Sequence, residues 1–379
     1  MSPSDRAGVV LTIDLGAIAR NYRLLRKRVR GGRCAVVVKA NAYGLGVARV
    51  APVLARAGSR TFFVATLDEG VELRGLLPDA EVAVLNGLQP GCEAEFAAHN
   101  LVPVLNDLGQ IERWGAFARA RGEPDAVIHL DAMIHLDAMI HLDTGMNRLG
   151  LPPDEVDRLA AEPERLRGLR LGLVMSHLAC AEQRDNPMNA AQRALFIAQR
   201  KRLPPAPASF ANSSGIFLGP DYHFDLARPG VALYGVNPTP EAPNPMAEVV
   251  RLQGKIIQSR DVDRGQTVGY GAAHRIGAPG RIATVAVGYA DGYARSLGTR
   301  AFAAVGGAKV PVVGRVSMDL ITLDVSALSA DQARTGATVD LIGGACPIDE
   351  VAAWSGTIGY EILTSLGHRY ARRYVGGGA

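Results

Sequence analysis

The sequence has few cysteines, no long apolar run and no dense block of basic residues. Its four cysteines, Cys34, Cys92, Cys180 and Cys346, are widely scattered, which argues against a disulfide framework or a zinc site and fits a reducing compartment. The N-terminus lacks a signal-peptide pattern, and no apolar run approaches the ~18 residues of a membrane span. The net charge of +4 is small and mixed. We therefore predict a cytoplasmic protein that binds neither nucleic acid nor membrane.

What the chain does have is length, because 379 residues exceed what one hydrophobic core usually supports. Asp14 precedes an apolar stripe at helical period and predicts the start of a helix. Up to residue 240, eight short apolar runs alternate with helix-length segments, which predicts an eight-stranded β/α (TIM-like) barrel. The predicted strands are 34–38, 61–66, 81–85, 102–105, a stretch ending near Asp143, 171–176, 208–211 and 231–234.

A proline-rich stretch at 237–245 marks a change in this rhythm. The runs that follow are shorter and are joined by turns containing Gly, Asp and Pro, so they predict strands. These strands are 248–259, 281–288, 309–316, 320–325 and 338–342. We therefore predict a barrel domain at 1–240 and a mainly β domain at 241–379, within the α/β class.

A short tandem repeat precedes residue 143. Segments 131–136 and 137–142 are identical copies of Asp-Ala-Met-Ile-His-Leu, and 125–130 is a near copy. Because six is an even number, slipping by one copy keeps every side chain on its strand face, so we predict that the fold tolerates the duplication. The copies carry His129, His135 and His141, but steps of about 20 Å along a strand do not converge as metal ligands must. We predict no metal site.

The strongest local signal is Lys39, which ends an apolar strand and precedes a turn rich in Gly and Asn. Catalytic groups of β/α barrels lie at this end of the strands. A partly desolvated lysine there can form a Schiff base with a carbonyl compound. From the residues alone, a strand-end lysine that extends into solvent is an equally good interpretation.

The segment Lys39-Ala40-Asn41-Ala42-Tyr43-Gly44 resembles the cofactor-lysine motif of bacterial alanine racemases, which are fold-type III pyridoxal-phosphate enzymes. Other motifs resemble that family in the same order, from about Val9 to Tyr360. The family also has a barrel followed by a β domain. The further motifs are Ser176-His177-Leu178-Ala179, Asn212-Ser213-Ser214, Arg228-Pro229-Gly230-Val231, Val268-Gly269-Tyr270-Gly271, Gly288-Tyr289-Ala290, Ser317-Met318-Asp319 and Gly359-Tyr360-Glu361.

The resemblance implies roles for the matched residues. Lys39 would hold pyridoxal 5'-phosphate and act as one catalytic base, and Tyr270 would act as the other from a partner subunit. A homodimer with a shared active site is therefore implied. The implied cofactor-binding residues are Lys39, Tyr43, His177, Ser213, Arg228, Gly230, Val231 and Tyr360. The implied substrate-binding residues are Arg148, Tyr289 and Met318.

One position departs from the family pattern. Many members have, seven residues before the arginine matched by Arg148, a lysine that becomes carbamylated and orients that arginine. Here the position is His141, which cannot form such a carbamate. A bound chloride or an aspartate from a spare repeat copy is a hypothesis for the missing negative charge.

We therefore predict an amino-acid racemase that interconverts L-alanine and D-alanine by a two-base mechanism and supplies D-alanine for peptidoglycan synthesis. A racemase of another small amino acid such as serine is the alternative. A decarboxylase of this fold type would be expected to carry a cysteine-containing motif in place of the Tyr270 motif. A cofactor-carrying homeostasis protein would be expected to have the barrel alone. An enzyme that binds cofactor but is crippled by the repeat also stays open.

Overall fold

The computed structural model describes residues 6–122 and 136–377, and its first long helix begins where the sequence predicts. Strand β1 (Val9–Asp14) leads directly into helix α1 (Leu15–Arg28). The Asp14 carboxylate accepts a hydrogen bond of 2.9 Å from Ala17 N–H, which satisfies one of the N–H groups that a first helical turn leaves unpaired. The apolar stripe of α1 is buried.

Parallel strands and helices then alternate and form the predicted barrel. Its strands are β2 (Arg33–Cys34), β3 (Val36–Val37), β4 (Thr61–Val64), β5 (Glu81–Val84), β6 (Val102–Leu105), β7 (Leu136–His141), β8 (Leu169–Met175), β9 (Ala208–Ser209) and β10 (Leu226–Ala227). Its helices are α2 (Val47–Arg56), α3 (Leu67–Leu76), α4 (Glu93–Ala98), α5 (Leu108–Gly122), α6 (Pro153–Ala161), α7 (Pro187–Arg200) and α8 (Gly215–Leu218). No helix in the described parts of the chain has the length and apolar character needed to cross a bilayer.

Pairing between the strands closes the barrel. Strands β3 to β9 pair in sequence order. Strand β10 pairs in parallel with β2, which precedes β3 by a single residue, so the two short strands together form the first position of the ring. Between β9 and β10, Asp225 N–H donates to Ala208 O at 3.0 Å. The carboxyl ends of the strands therefore meet at one mouth, where catalytic groups of such barrels lie.

The eighth strand lies earlier than the sequence predicts, so the prediction at 231–234 is wrong. That segment is a 3-10 helix, Val231–Tyr234, in which Leu233 N–H donates to Gly230 O at 2.9 Å. All four residues are buried, and periodicity alone cannot assign a short, fully buried apolar run to strand or helix. The actual strand is β10, whose two residues give too short a pattern to detect.

The last repeat copy supplies most of strand β7. This strand begins at Leu136, pairs with both β6 and β8, and ends at His141. The near copy at 125–130 and residues 131–135, which include His129 and His135, lie outside the described residues. The copy at 137–142, which precedes the loop that carries Arg148, therefore determines on which face of the strand each side chain lies.

The rest of the chain is mainly β, as predicted. Its elements are β11 (Val250–Val262), β12 (Thr267–Val268), β13 (His274–Arg275), β14 (Gly280–Val285), β15 (Phe302–Val305), β16 (Ala308–Val313), β17 (Ile321–Asp324), β18 (Thr338–Ile342), β19 (Ala371–Val375), α9 (Ile348–Ser355) and α10 (Gly359–Ser365). Strands β14, β17, β16, β15, β18 and β11 pair in that order, and β11 also pairs with β14, so this sheet closes on itself. The five predicted strands are confirmed, whereas β12, β13, β15 and β19 had no prediction.

Strand β1 joins this second sheet. It pairs antiparallel with β11, where Val9 lies opposite Gly254, and parallel with β19, where Val10 lies opposite Ala371. No strand was predicted at β1, because nothing local in the sequence indicates a partner so far along the chain. The barrel segments are thus inserted between strands of the second sheet.

Contacts from the second sheet support the mouth of the barrel. Arg372 donates to Gly44 O at 2.6 Å, and the Tyr374 hydroxyl donates to Leu45 O at 2.9 Å. Helix α10 places the ring of Tyr360 at 6.1 Å from the ring of Tyr43, measured between centroids. The end of the chain therefore forms one wall of the region around Lys39.

Candidate active site

Lys39 follows β3 at the mouth of the barrel, and the turn after it is left-handed. Residues 40–43 all have φ between 53° and 55°, a conformation that costs residues with a Cβ roughly 1–2 kcal/mol each. Within the turn, Ala42 N–H donates to Val38 O at 2.8 Å. Such backbone strain persists only where the surroundings enforce it, and it concentrates at functional sites.

A cavity of about 450 Å³ opens at this mouth and brings together most of the predicted site residues. Its lining includes nine of them: Lys39, Tyr43, Arg148, His177, Ser213, Arg228, Gly230, Val231 and Tyr360. His141 also lines it, together with Asn86, Met175 and Asn212. The loops and strand ends after β3, β7, β8, β9 and β10 therefore converge on one space.

One corner of the cavity is suited to an anion. The Ser213 hydroxyl oxygen accepts hydrogen bonds from Gly230 N–H at 3.0 Å and from Ala232 N–H at 3.3 Å, so its own proton is free to be donated. A Cβ at Gly230 would overlap the Tyr43 hydroxyl, so glycine permits that phenol to lie in this corner. Burial raises the pKa of Tyr43, which keeps it a hydrogen-bond donor. The two hydroxyl donors, Ser213 and Tyr43, that converge in this corner favour a phosphate-like group.

Arg228 forms the floor of the cavity. Its guanidinium donates to the Ser209 hydroxyl and, at 2.7 Å, to Ser176 O. Burial lowers its pKa to about 9, so the group stays positively charged at neutral pH. A fixed, buried guanidinium presents only donors to any ligand in the cavity.

His177 is held neutral beside this arginine. Burial, followed by the charge of Arg228, lowers the pKa of His177 well below its ordinary range. Its Nδ1 lies 3.5 Å from an Arg228 nitrogen, which can only donate. The neutral ring therefore accepts at Nδ1 and carries its proton on Nε2.

Lys39 lies in an environment that disfavours its charged form. Burial and the positive charge of Arg148 lower the pKa of its ammonium, and the negative charge of Glu69 opposes them. A lysine whose pKa is lowered is more often a free amine and therefore a better nucleophile and base. The side chain is partly buried and lines the cavity, which favours this interpretation over a strand-end lysine that extends into solvent.

His141 is also neutral, and its tautomer is fixed. Its Nδ1 lies 2.8 Å from Asn106 Oδ1, and the Asn106 amide nitrogen donates to Leu85 O and Val104 O. Asn106 can therefore only accept from the imidazole, so His141 carries its proton on Nδ1. Burial, followed by the charge of Arg228, lowers the pKa of His141 to about 4. His141 therefore contributes a neutral ring to the cavity wall.

The buried His141 should make the fold sensitive to acid. Because its folded pKa of about 4 lies below the ordinary 6.5, the unfolded chain takes up the proton more readily, and the free energy of unfolding falls as pH drops through this window. We expect a loss of about 2 kcal/mol between pH 7.5 and 5 from this residue. In urea unfolding, the free energy of unfolding of His141→Gln should fall by about 2 kcal/mol less than that of the wild type over this pH range. His368→Gln, at an exposed position, should show the same fall as the wild type. Equal pH dependence in both variants would contradict this assignment.

Three predicted residues lie outside the cavity. Tyr270, Tyr289 and Met318 belong to the second domain and are exposed by 70%, 42% and 54%. Tyr289 N–H donates to Ser317 O at 3.0 Å, so Tyr289 and the Met318 segment are held together. A single chain therefore presents these side chains on its surface and does not bring Tyr270 to Lys39.

Sequence reasoning missed two polar residues that support the site, Asn106 and Glu69. Asn106 directly follows the buried strand β6, and a polar residue at the carboxyl end of a barrel strand is a signal that could have indicated it. Glu69 lies three residues after Thr66, the spacing of a helix capping box, which the structure contains. That signal indicates a helix start but not a contact with the Lys39 turn.

The chain is similar to known proteins over nearly its whole length. Residues 13–238 match the family model of the alanine racemase N-terminal domain, and residues 249–374 that of the C-terminal domain. The chain is 53% identical to an alanine racemase of Rhodospirillum rubrum, covering 99% of this chain and 98% of that protein. It is 50% identical to a catabolic alanine racemase of Mesorhizobium japonicum, covering 98% and 94%. The crystal structure of Bartonella henselae alanine racemase with covalently bound pyridoxal phosphate matches with a TM-score of 0.91 and 40% identity, covering 97% of this chain and 99% of that one. This chain therefore belongs to the alanine racemase family.

Proposed function

We propose that the protein is a pyridoxal-phosphate-dependent enzyme that interconverts L-alanine and D-alanine. The observation that carries the proposal is the single cavity that combines a desolvated lysine, an anion-binding corner and a buried arginine. The relatives described above are named for alanine, which favours alanine over the serine alternative.

The residues present fit the cofactor. The Ser213 hydroxyl, the backbone at Gly230 and Val231, and the phenols of Tyr43 and Tyr360 would hold its phosphate. Ser213, Gly230, Val231 and Tyr43 are buried, whereas Tyr360 is 40% exposed and lies at the rim. The hydroxyl groups of this corner can donate to a phosphate dianion. When bound covalently to an amino acid, pyridoxal phosphate withdraws electrons and so acidifies the Cα–H bond.

Arg228 would face the ring nitrogen of the cofactor. Because a guanidinium can only donate, a nitrogen placed against it stays unprotonated and withdraws electrons less strongly. We propose that this arrangement favours simple proton exchange at Cα over side reactions such as transamination. The hydrogen bonds from Arg228 to Ser209 and Ser176 O hold the guanidinium in place for this role.

Lys39 and Tyr270 of a second copy would act as the two bases. Racemisation removes a proton from one face of the Cα centre and delivers one to the opposite face, so two opposed groups are the simple solution. In one chain Lys39 faces the cavity, whereas Tyr270 is exposed on the second domain. A twofold homodimer would place that surface against the cavity of the other subunit. The active site is then shared between subunits.

The substrate carboxylate would lie near Arg148 and the backbone N–H of Met318, with Tyr289 narrowing the entrance. Arg148 carries the charge that a carboxylate requires and lines the same cavity as Lys39. An entrance narrowed by aromatic and thioether side chains favours a one-carbon side chain such as that of alanine. His141 would replace the carbamylated lysine as the neutral neighbour of Arg148.

For the biological role, we propose the supply of D-alanine for peptidoglycan synthesis in the cytoplasm. The four cysteines are free thiols, which fits a reducing compartment. Two relatives are named as catabolic enzymes, and a reversible racemase can serve either direction. The chemistry at the site is the same in both cases.

The test of this proposal is chiral chromatography after purified protein and pyridoxal phosphate are incubated with L-alanine, and separately with L-serine. D-alanine should form, and much faster than D-serine. Formation of D-serine alone would contradict the assignment of alanine as the substrate. If the protein binds the cofactor but forms neither product, the proposed racemase reaction is wrong.

Gly230→Ala tests the anion-binding corner. The added methyl group overlaps the Tyr43 hydroxyl, and relief of this overlap moves donors away from the phosphate. We expect the Kd for pyridoxal phosphate to rise by about tenfold, measured from the quenching of protein fluorescence. Gly75→Ala is the matched control, because a methyl group there meets no atom within 4 Å. An unchanged Kd in Gly230→Ala would contradict the role given to this corner.

A further inference from the structure

Glu69 joins the turn that carries Lys39 to the start of helix α3. One carboxylate oxygen accepts Ala40 N–H at 2.6 Å, and the other accepts Ala65 N–H at 2.7 Å. The second oxygen also takes part in the capping box with Thr66. Charge-assisted hydrogen bonds of this kind are about twice as strong as neutral ones. Glu69 therefore fixes the residue next to Lys39 to a rigid element.

The same carboxylate balances the charge around Lys39. Cationic or neutral groups face the cavity from the other elements: His141 at the end of β7, Arg148 after it, His177 after β8, Arg228 after β10, Tyr43 in the turn and Tyr360 on α10. Two carboxylates lie near Lys39. Glu361 on α10 lines an adjoining pocket with Lys39 and accepts a hydrogen bond from the Thr357 hydroxyl, whereas the negative charge of Glu69 raises the pKa of Lys39 against the effect of burial. The position of Glu69 at the base of the turn lets it act on the amine without contacting a ligand in the cavity.

We propose that Glu69 is a positioning residue for Lys39, holding the left-handed turn through Ala40 N–H and placing a negative charge at the peptide bond that follows the lysine. The inference deepens the proposed function and rests on Lys39 being the cofactor-binding base. The turn requires a clamp, by which we mean the hydrogen bonds that Ala40 N–H and Ala65 N–H donate to Glu69. Without it, four successive residues with positive φ would relax toward ordinary backbone conformations.

Glu69→Gln is the central test, because it keeps the size of the side chain but removes the charge and one of the two acceptors. Two measurements on the cofactor-loaded protein do not depend on turnover. The first is the pH midpoint at which the visible absorbance of the lysine-bound cofactor changes. The second is hydrogen–deuterium exchange of the peptide segment 38–46.

Two neighbouring variants are matched controls. Asp68→Asn removes an exposed charge from the same first turn of α3. Thr66→Ala removes the other half of the capping box but leaves the bond from Ala40 intact. Comparison with Thr66→Ala separates the loss of a helix cap from the loss of the clamp.

For Glu69→Gln we expect the absorbance midpoint to move about one unit toward lower pH and the Ala40 amide to exchange about tenfold faster. Asp68→Asn and Thr66→Ala should leave both unchanged, although Thr66→Ala should lower Tm. If Glu69→Gln does not fold, Glu69→Asp replaces it: the shorter side chain keeps the charge, so exchange should rise while the midpoint stays near that of the wild type.

A Glu69→Gln protein that loses thermal stability as Thr66→Ala does, with unchanged midpoint and exchange, would overturn the proposal and leave Glu69 as a helix cap. Failure of the proposed function gives a different pattern. In that case the wild type forms no D-alanine, yet faster exchange at Ala40 in Glu69→Gln still reports on the clamp.

Discussion

Lys39→Ala is expected to lower the rate of conversion of L-alanine to D-alanine by about a thousandfold or more. The amine would provide both the covalent link to the cofactor and the proton transfer on one face of Cα, and removal of a general base alone typically costs 10²–10⁴-fold, roughly. The partly buried position of Lys39 and the charge of Arg148, which both lower the pKa of its ammonium, would suit the amine to both roles. The measurement is chiral chromatography of the product over a range of enzyme concentrations.

Lys309→Ala is the matched control for this variant. Lys309 forms an exposed ion pair of 2.6 Å with Glu350 on the second domain, and exposed pairs contribute little to stability. The racemase activity of Lys309→Ala should stay close to that of the wild type. If Lys39→Ala retained a tenth of the wild-type rate while cofactor was present, the lysine would not be a catalytic base.

Mixing two inactive variants is expected to restore activity if the active site is shared between subunits. Tyr270→Phe removes one hydroxyl from an exposed side chain, so the fold should be kept while one base is lost. In a mixed dimer with Lys39→Ala, one site carries both changes and the other has both natural residues. With random exchange of subunits in a symmetric dimer, activity should rise to roughly a quarter of the wild-type value.

The outcome of mixing separates two arrangements of the site. Each variant alone should be nearly inactive, and activity should appear only after the subunits have exchanged, for example after dilution and reconcentration. If each chain instead brought its own Tyr270 to its own Lys39, the mixture would stay as inactive as its parts. Light scattering on the same samples shows whether dimers are present.

Local signals were sufficient to predict much of the fold. The Asp14 cap and the alternation of apolar runs depend on neighbours in the sequence, so they could be predicted directly. The assignment of Lys39 and Arg228 to one cavity depended on resemblance, since nothing near either residue indicates the other. Strand β1, the shift of the eighth barrel strand, and the Asn106 and Glu69 contacts depend on partners distant in the chain. Such partners are determined by long-range packing, and a short stretch of sequence carries no information about it.

The pairing of β1 with β11 has a consequence for folding during synthesis. Val9 cannot pair with Gly254 until roughly 245 more residues have been synthesised. At ribosomal rates this interval is on the order of 10–50 s, and non-local pairing of this kind is slow even after the partner has been made. During that time β1 is an unpaired strand, and unpaired strand edges are aggregation-prone. The alternating barrel units can meanwhile form in chain order from local contacts, so the second sheet is completed last.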